Sequence, residues 1–135
     1  MAGKAMNKQE LRKKFIVSQD VIKARLEELV NKAIEHCVVT EQGEVHLESK
    51  SLGAKNQIKL VLAARYLAAQ LDNSFSAEVT VAELASSTGL PENQIRARAN
   101  EAIKERFASS PVVGTYIASP HKIETFLGTL KTAKK

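Results

Sequence analysis

Residues suited to nucleic-acid chemistry are concentrated in a short stretch of the chain. Arginine and lysine can contact phosphate, arginine can also pair with a guanine edge, and asparagine or glutamine can hydrogen-bond adenine. The residues of these types are Asn93, Gln94, Arg96, Arg98, Asn100 and Lys104. The small residue Ala97 lies among them and permits close approach to a groove floor. We take them as candidate DNA contacts; the alternative is that they are solvated polar residues on an exposed helix.

The stretch STGLPENQIRAR (87–98) indicates how these residues are positioned. Gly89 is a favourable left-handed end for one helix, and Pro91 suits the first turn of the next, which we expect to reach Phe107. A helical wheel predicts a core face made of Ile95, Ala99, Ala102, Ile103 and Arg106. The opposite face carries Asn93, Ala97, Asn100, Glu101 and Lys104, with Arg96 and Arg98 on its two sides.

The segment VTVAELASSTGLPENQIRARANEAI resembles the helix-turn-helix of winged-helix DNA-binding proteins. The matching residues are Leu84-Ala85, Gly89-Leu90 and Ile95; the chain departs from the family pattern at Arg98, where the family often has an apolar residue. The resemblance covers 55–131 and, more weakly, 7–49. It implies a preceding helix at 55–72, a wing at 109–119, and a second helix of the motif that lies in the major groove of double-stranded DNA.

An internal repeat is suggested when residues 18–34 are placed over 91–107. Ile22 then falls on Ile95, Lys23-Ala24-Arg25 on Arg96-Ala97-Arg98, and a valine-rich hairpin follows each copy; duplication is the preferred explanation, and chance is the alternative. The first copy lacks a preceding helix. Its outward face is acidic and would repel phosphate, since it consists of Asp20, Ala24, Glu27, Glu28 and Asn31.

The first copy is therefore expected to pack, dimerise or contact another protein through residues 18–36. Its apolar residues Ile22, Leu26, Leu29 and Ala33 have a four-three-four spacing. Core packing is the default interpretation of that spacing, and a dimer seam is the second option.

The remaining patterns predict a mainly α protein with small β-hairpins, and the resemblance together with the internal repeat implies a duplicated winged helix-turn-helix. Helices are expected at 8–14, 18–36, 55–72, 81–88 and 120–130, and hairpins at 37–49 and 109–119. The helix at 55–72 is apolar almost all round, which predicts that it is the buried centre of the fold. We divide the chain into a truncated unit at 1–50, a complete unit at 55–131 and a basic tail at 132–135.

Composition limits the function further. The 135 residues carry a formal net charge of +5, which suits a polyanionic partner, although the second hairpin has no lysine or arginine between Pro111 and Ser119. A single cysteine and the lack of a signal peptide or membrane-spanning run favour a cytoplasmic protein without membrane contact.

The candidate soft metal ligands do not have the spacing of a metal site; they are His36, Cys37, His46 and His121. The sequence also contains no catalytic or cofactor motif. We expect no cofactor and no enzymatic activity.

Two functions remain. The first is a DNA-binding protein, either a transcription regulator or a chromatin-associated factor, that uses the helix at 91–107. The alternative is a tandem winged-helix scaffold for protein–protein contacts in a larger assembly, which the acidic first copy and the uncharged second hairpin favour.

Overall fold

The computed structural model describes Lys8 and residues 25–48 and 52–130. Outside the described residues lie the predicted helix at 8–14, apart from Lys8, and the basic tail at 132–135. The predicted start of the helix at 18–36 also lies outside them, with Asp20, Ile22 and Ala24.

The described chain is mainly helical, with two small antiparallel sheets. The first part contains α1 (Leu26–Ile34), β1 (Cys37–Val39) and β2 (Val45–Leu47). The second part contains α2 (Ala54–Leu71), β3 (Val79–Thr80), α3 (Val81–Thr88), α4 (Glu92–Lys104), β4 (Ala108–Ser109), β5 (Thr115–Ala118) and α5 (Pro120–Thr129). Strands β1 and β2 form one sheet, and the other has the order β3-β5-β4. The expected combination of helices with small hairpins is confirmed at this level.

Local signals placed most element ends correctly. The hydroxyl of Thr80 accepts a hydrogen bond from the backbone N–H of Glu83, and the Glu83 carboxylate accepts one from the N–H of Thr80, so a capping box begins α3 at the predicted position. Gly89 ends α3 with a φ of 76°. Gly43 in the turn of the first hairpin, which was predicted at 37–49, has a φ of 89°, and Val39 pairs with Val45 on either side of the turn. These features depend on residues close in sequence.

The end of α4 differs from the prediction. The helix stops at Lys104 rather than near Phe107, because Arg106 takes a left-handed conformation with a φ of 66°. The N–H of Phe107 then reaches the carbonyl of Ala102, and the N–H of Arg106 reaches that of Ile103, each at 2.9 Å. This pair of bonds is the Schellman arrangement. Arg106 is consequently exposed and lies outside the helix, so its predicted place on the core face was wrong.

Replacing Arg106 with glycine is expected to stabilise the protein. A left-handed conformation costs a residue with a Cβ about 1–2 kcal/mol, and glycine avoids this cost but loses more chain entropy on folding. The expected net gain in the free energy of unfolding is about 0.5–1 kcal/mol, measured by urea denaturation. Arg106→Ala, which removes the charge but keeps the Cβ, serves as the control. An equal gain in both variants would show that the backbone conformation is not the cause.

Helix α2 is the centre of the core, as its apolar composition predicts. Every residue from Leu60 to Ala68 is buried, and Ile58, Leu60, Leu62 and Ala63 have no measurable exposure. The helix contacts α1, both strands of the first hairpin, and α3, α4, α5 and β5. The two predicted units therefore share one hydrophobic cluster around α2.

Helix α1 uses its apolar stripe within this core. Leu29 and Ala33 are buried, and Leu26 packs against the cluster from a half-buried position. Glu27, Glu28 and Asn31 are exposed, as the wheel predicts. In the described part of α1 the four-three-four spacing thus serves packing inside the chain. The helix ends at Ile34, two residues before the predicted end at His36.

No helix among the described residues combines the length and the apolar character needed to cross a membrane.

Candidate nucleic-acid interface

The turn between α3 and α4 holds the two helices at a packed corner. Leu84 and Ile95 are completely buried on opposite sides of the turn, and Leu90 between them is half-buried. The Thr88 hydroxyl donates to the carbonyl oxygen of Leu84 at 2.7 Å and accepts from the N–H of Leu90 at 3.2 Å. This short connection with a glycine is typical of the helix-turn-helix arrangement. It orients the outer face of α4 relative to the core.

That outer face is open to solvent. Five of the candidate contact residues are exposed and occupy neighbouring positions on the wheel: Asn93, Arg96, Ala97, Asn100 and Lys104. They include two cationic side chains; the carboxylate of Glu101, which the wheel places on the same face, has 41% side-chain exposure and pairs with Arg98. The carbonyl oxygen of the Asn93 side chain accepts from the N–H of Gln94 at 2.9 Å, which leaves the amide NH₂ of Asn93 available to a ligand. Gln94 itself is half-buried.

Arg98 is placed differently from Arg96. Its side chain is half-buried, its Nη2 lies 3.2 Å from a carboxylate oxygen of Glu101, and its buried Nε has no hydrogen-bond partner within the described residues. This is the position at which the winged-helix pattern often has an apolar residue. The face of α4 is therefore asymmetric: Arg96 is exposed, whereas Arg98 is half-buried and pairs with Glu101.

Two lysines on α2 neutralise the C-terminal end of α4. Lys55 and Lys59 both hydrogen-bond the carboxylate of Glu105, and these bonds, from Lys55 first and Lys59 second, lower the pKa of that carboxyl. Lys59 also lies over the rings of Phe107 and Phe126, with its Nζ 5.3 and 5.9 Å from their centroids. These cations are engaged within the fold and do not extend the exposed face. The sequence patterns did not reveal this cluster because Lys55 and Lys59 lie 50 and 46 positions before Glu105.

The hairpin of β4 and β5 has an ordered but uncharged tip. The Ser110 hydroxyl is within hydrogen-bonding distance of the carbonyl oxygens of Val112 and Thr115, and the N–H of Thr115 donates to Val112 at 2.9 Å. Val112 and Val113 are 62% and 92% exposed. The tip thus presents two exposed valines, and it has no lysine or arginine between Pro111 and Ser119.

Arg65 in α2 is an important residue that the sequence patterns did not identify. It is 6% exposed, and its guanidinium donates to the carbonyl oxygens of Ser76 at 2.9 Å, Gly43 at 3.2 Å and Glu78 at 3.2 Å. It also contacts the carboxylate of Glu83 at 3.1 Å. One side chain on α2 thereby connects the first hairpin, the loop before β3 and the start of α3. The feature of the sequence that could have indicated this role is a single arginine within an otherwise apolar helix.

The same contacts affect Glu83. Partial burial raises the pKa of its carboxyl, but the hydrogen bonds from the Thr80 backbone and from Arg65 outweigh that effect, so the pKa lies below its usual range. Glu83 stays ionised at neutral pH and joins the α3 cap to Arg65.

The four soft metal ligands of the sequence are dispersed. His36 and Cys37 are buried, whereas His46 and His121 are exposed. Within the described ranges no group of three or more histidine, cysteine, aspartate or glutamate side chains could hold a metal ion. The described residues therefore offer no assembled metal site.

Comparison of the chain with protein-family models, curated proteins and solved structures found no match.

Proposed function

We propose that this protein binds double-stranded DNA through α4, as a winged helix-turn-helix transcription regulator or chromatin-associated factor. The observation that carries the proposal is the exposed face of α4, with Arg96, Asn93, Asn100 and Lys104 around the small Ala97. The elements from α2 to β5 also follow the order that the winged-helix resemblance implies, with a helix before the helix-turn-helix pair and a hairpin after it.

The arrangement suits a helix that enters the major groove, which is about 12 Å wide. Ala97 lies between longer polar residues on the wheel and leaves room for a base pair or groove wall. Asn93 and Asn100 provide amides that can bond adenine, while Arg96 and Lys104 can reach phosphates or a guanine edge. Arg98 is a weaker candidate, since Glu101 already occupies one end of its guanidinium.

Duplication remains part of this proposal. Helix α1 followed by the β1–β2 hairpin corresponds to α4 followed by the β4–β5 hairpin. The first pair carries exposed Glu27 and Glu28, which repel phosphate, so DNA contact is assigned to the second pair.

An anisotropy titration of the full chain with duplex DNA at low and moderate salt tests the proposal. Arg96→Ala is expected to weaken binding and, if Arg96 contacts a phosphate, to reduce the log–log salt slope by about 0.9. If Arg96 pairs with guanine instead, its loss is expected to cost about 1–3 kcal/mol at one base position. Arg98→Ala is expected to have a smaller effect than Arg96→Ala, because Arg98 is paired with Glu101.

Lys32→Ala on α1 removes a charge outside the candidate face and controls for net charge. The melting temperature of Arg96→Ala should equal that of the wild type, since Arg96 is exposed. Unchanged affinity and salt slope in folded Arg96→Ala would remove Arg96 from the interface. A wild-type chain that fails to bind duplex DNA at low salt would contradict the whole proposal.

The alternative function is a scaffold that contacts proteins, with residues 18–36 as a dimer or partner surface. The exposed valines at the tip of the β4–β5 hairpin favour it, because they suit an apolar partner better than phosphate. The scaffold function predicts no salt-dependent DNA binding. Light scattering of the full chain would then detect self-association. Glu27→Lys reverses a charge on the exposed face of α1 and would change the extent of that self-association.

A further inference from the structure

A groove with apolar walls lies between α1, β1 and the C-terminal half of α2. Its volume is about 320 Å³. The buried alanines Ala33, Ala64 and Ala68 belong to its lining, so small side chains form the floor and leave the space open. The exposed residues Ile34, Val38 and Leu71 form the rim.

Exposed apolar surface is concentrated at this rim. Ile34, Val38 and Leu71 are 54%, 44% and 62% exposed, and they are three of the five large apolar side chains that are exposed in the described residues. The other two, Val112 and Val113, lie at the tip of the β4–β5 hairpin. A cluster of exposed apolar residues around a cavity indicates a contact site, whereas single exposed residues do not.

The lining determines the chemistry of an occupant. It contains no charged side chain, and its only side-chain heteroatom is the sulfur of Cys37, which donates to the carbonyl oxygen of Ala33 at 3.6 Å. Burial, with a smaller effect from the carboxylate of Glu48, raises the pKa of this thiol to about 12, so it is neutral at physiological pH. An occupant finds no ionic partner here and must be uncharged where it meets the floor.

The dimensions favour a small molecule over a second copy of the chain. A 150 Å³ apolar cavity accommodates benzene, and pockets for small ligands begin at about 300 Å³. A stable protein interface needs about 800 Å² and roughly 20–30 residues from each partner. The groove has eleven lining residues, of which only the three at the rim are exposed.

We propose that this groove binds an uncharged, largely apolar small molecule of about the size of two fused aromatic rings. Any polar group of the ligand points to the open side, between Ile34 and Leu71. The site involves no residue of α4 and is independent of the DNA-binding proposal.

The test is calorimetric titration of the full chain with 1-naphthol as the probe, followed by methyl NMR. We expect saturable binding of one molecule per chain, with shifts confined to methyl groups that line the groove, such as those of Val38, Leu67 and Leu71. Ala68→Leu places extra carbons in the groove and is expected to weaken binding by about tenfold or more. Ala82→Leu adds the same carbons at an exposed position on α3, outside this lining, and is expected to bind like the wild type.

Absence of saturable binding by the wild type would overturn the proposal, as would equal affinity in folded Ala68→Leu. If Ala68→Leu does not melt cooperatively, Leu71→Gln at the rim replaces it and is expected to weaken binding several-fold. Sedimentation that shows a dimer in the wild type and a monomer in Leu71→Gln would assign the groove to a second copy and contradict the small-molecule site.

Discussion

Leu62→Asp is expected to abolish cooperative unfolding of the described core. Leu62 has no exposed surface and lies in α2, the helix that contacts elements of both predicted units. An unpaired carboxylate in such a site costs several kcal/mol, and small domains are stable by only about 5–15 kcal/mol in total. Circular dichroism during a urea titration should show a gradual loss of signal in place of one transition.

Leu71→Asp is the matched control. It places the same carboxylate on the same helix at a side chain that is 62% exposed, so its urea midpoint should stay close to that of the wild type. If Leu62→Asp instead retains a cooperative transition from the part of the chain before residue 50, α2 does not join the two predicted units. Equal effects of the two substitutions would show that burial at Leu62 is not the cause.

Arg65→Ala is expected to lower the free energy of unfolding by about 3–5 kcal/mol, the usual cost of breaking a buried charged network. The truncation removes the donors for the carbonyl oxygens of Gly43, Ser76 and Glu78, and it leaves the Glu83 carboxylate without its cation. The affected carbonyls lie in the first hairpin and in the loop before β3. Urea denaturation measures the loss, and hydrogen exchange should show the greatest increase at these two segments.

Arg65→Lys separates the charge from the geometry of the guanidinium. Lysine keeps the positive charge but cannot direct donors from a planar fork to several carbonyl oxygens, so we expect an intermediate loss of stability. Full retention of stability in Arg65→Lys would show that charge alone is required. A loss below about 1 kcal/mol in Arg65→Ala, the size of one ordinary hydrogen bond, would contradict the role of Arg65 as a connector.

The sequence by itself determined features that depend on neighbouring residues. Thr80 and Glu83 specify the start of α3, Gly89 specifies its end, and Gly43 specifies the first hairpin turn, since each acts through backbone conformations or hydrogen bonds a few residues away. The apolar composition of α2 likewise predicts its central position, because a helix that is apolar on most sides must be covered on most sides. The exposed side of α4 follows from its periodicity for the same reason.

Only the tertiary structure decided how distant residues combine. Arg96 and Arg98 are equivalent on a helical wheel, but the fold leaves Arg96 exposed and half-buries Arg98 beside Glu101. Arg65 acquires its role from carbonyl oxygens that lie 11 to 22 positions away in the chain. The apolar groove arises where α1, β1 and α2 meet, so no local pattern encodes its volume. These features depend on the packing of separate elements, and residue spacing within one element shows which side is covered but not which distant residues cover it.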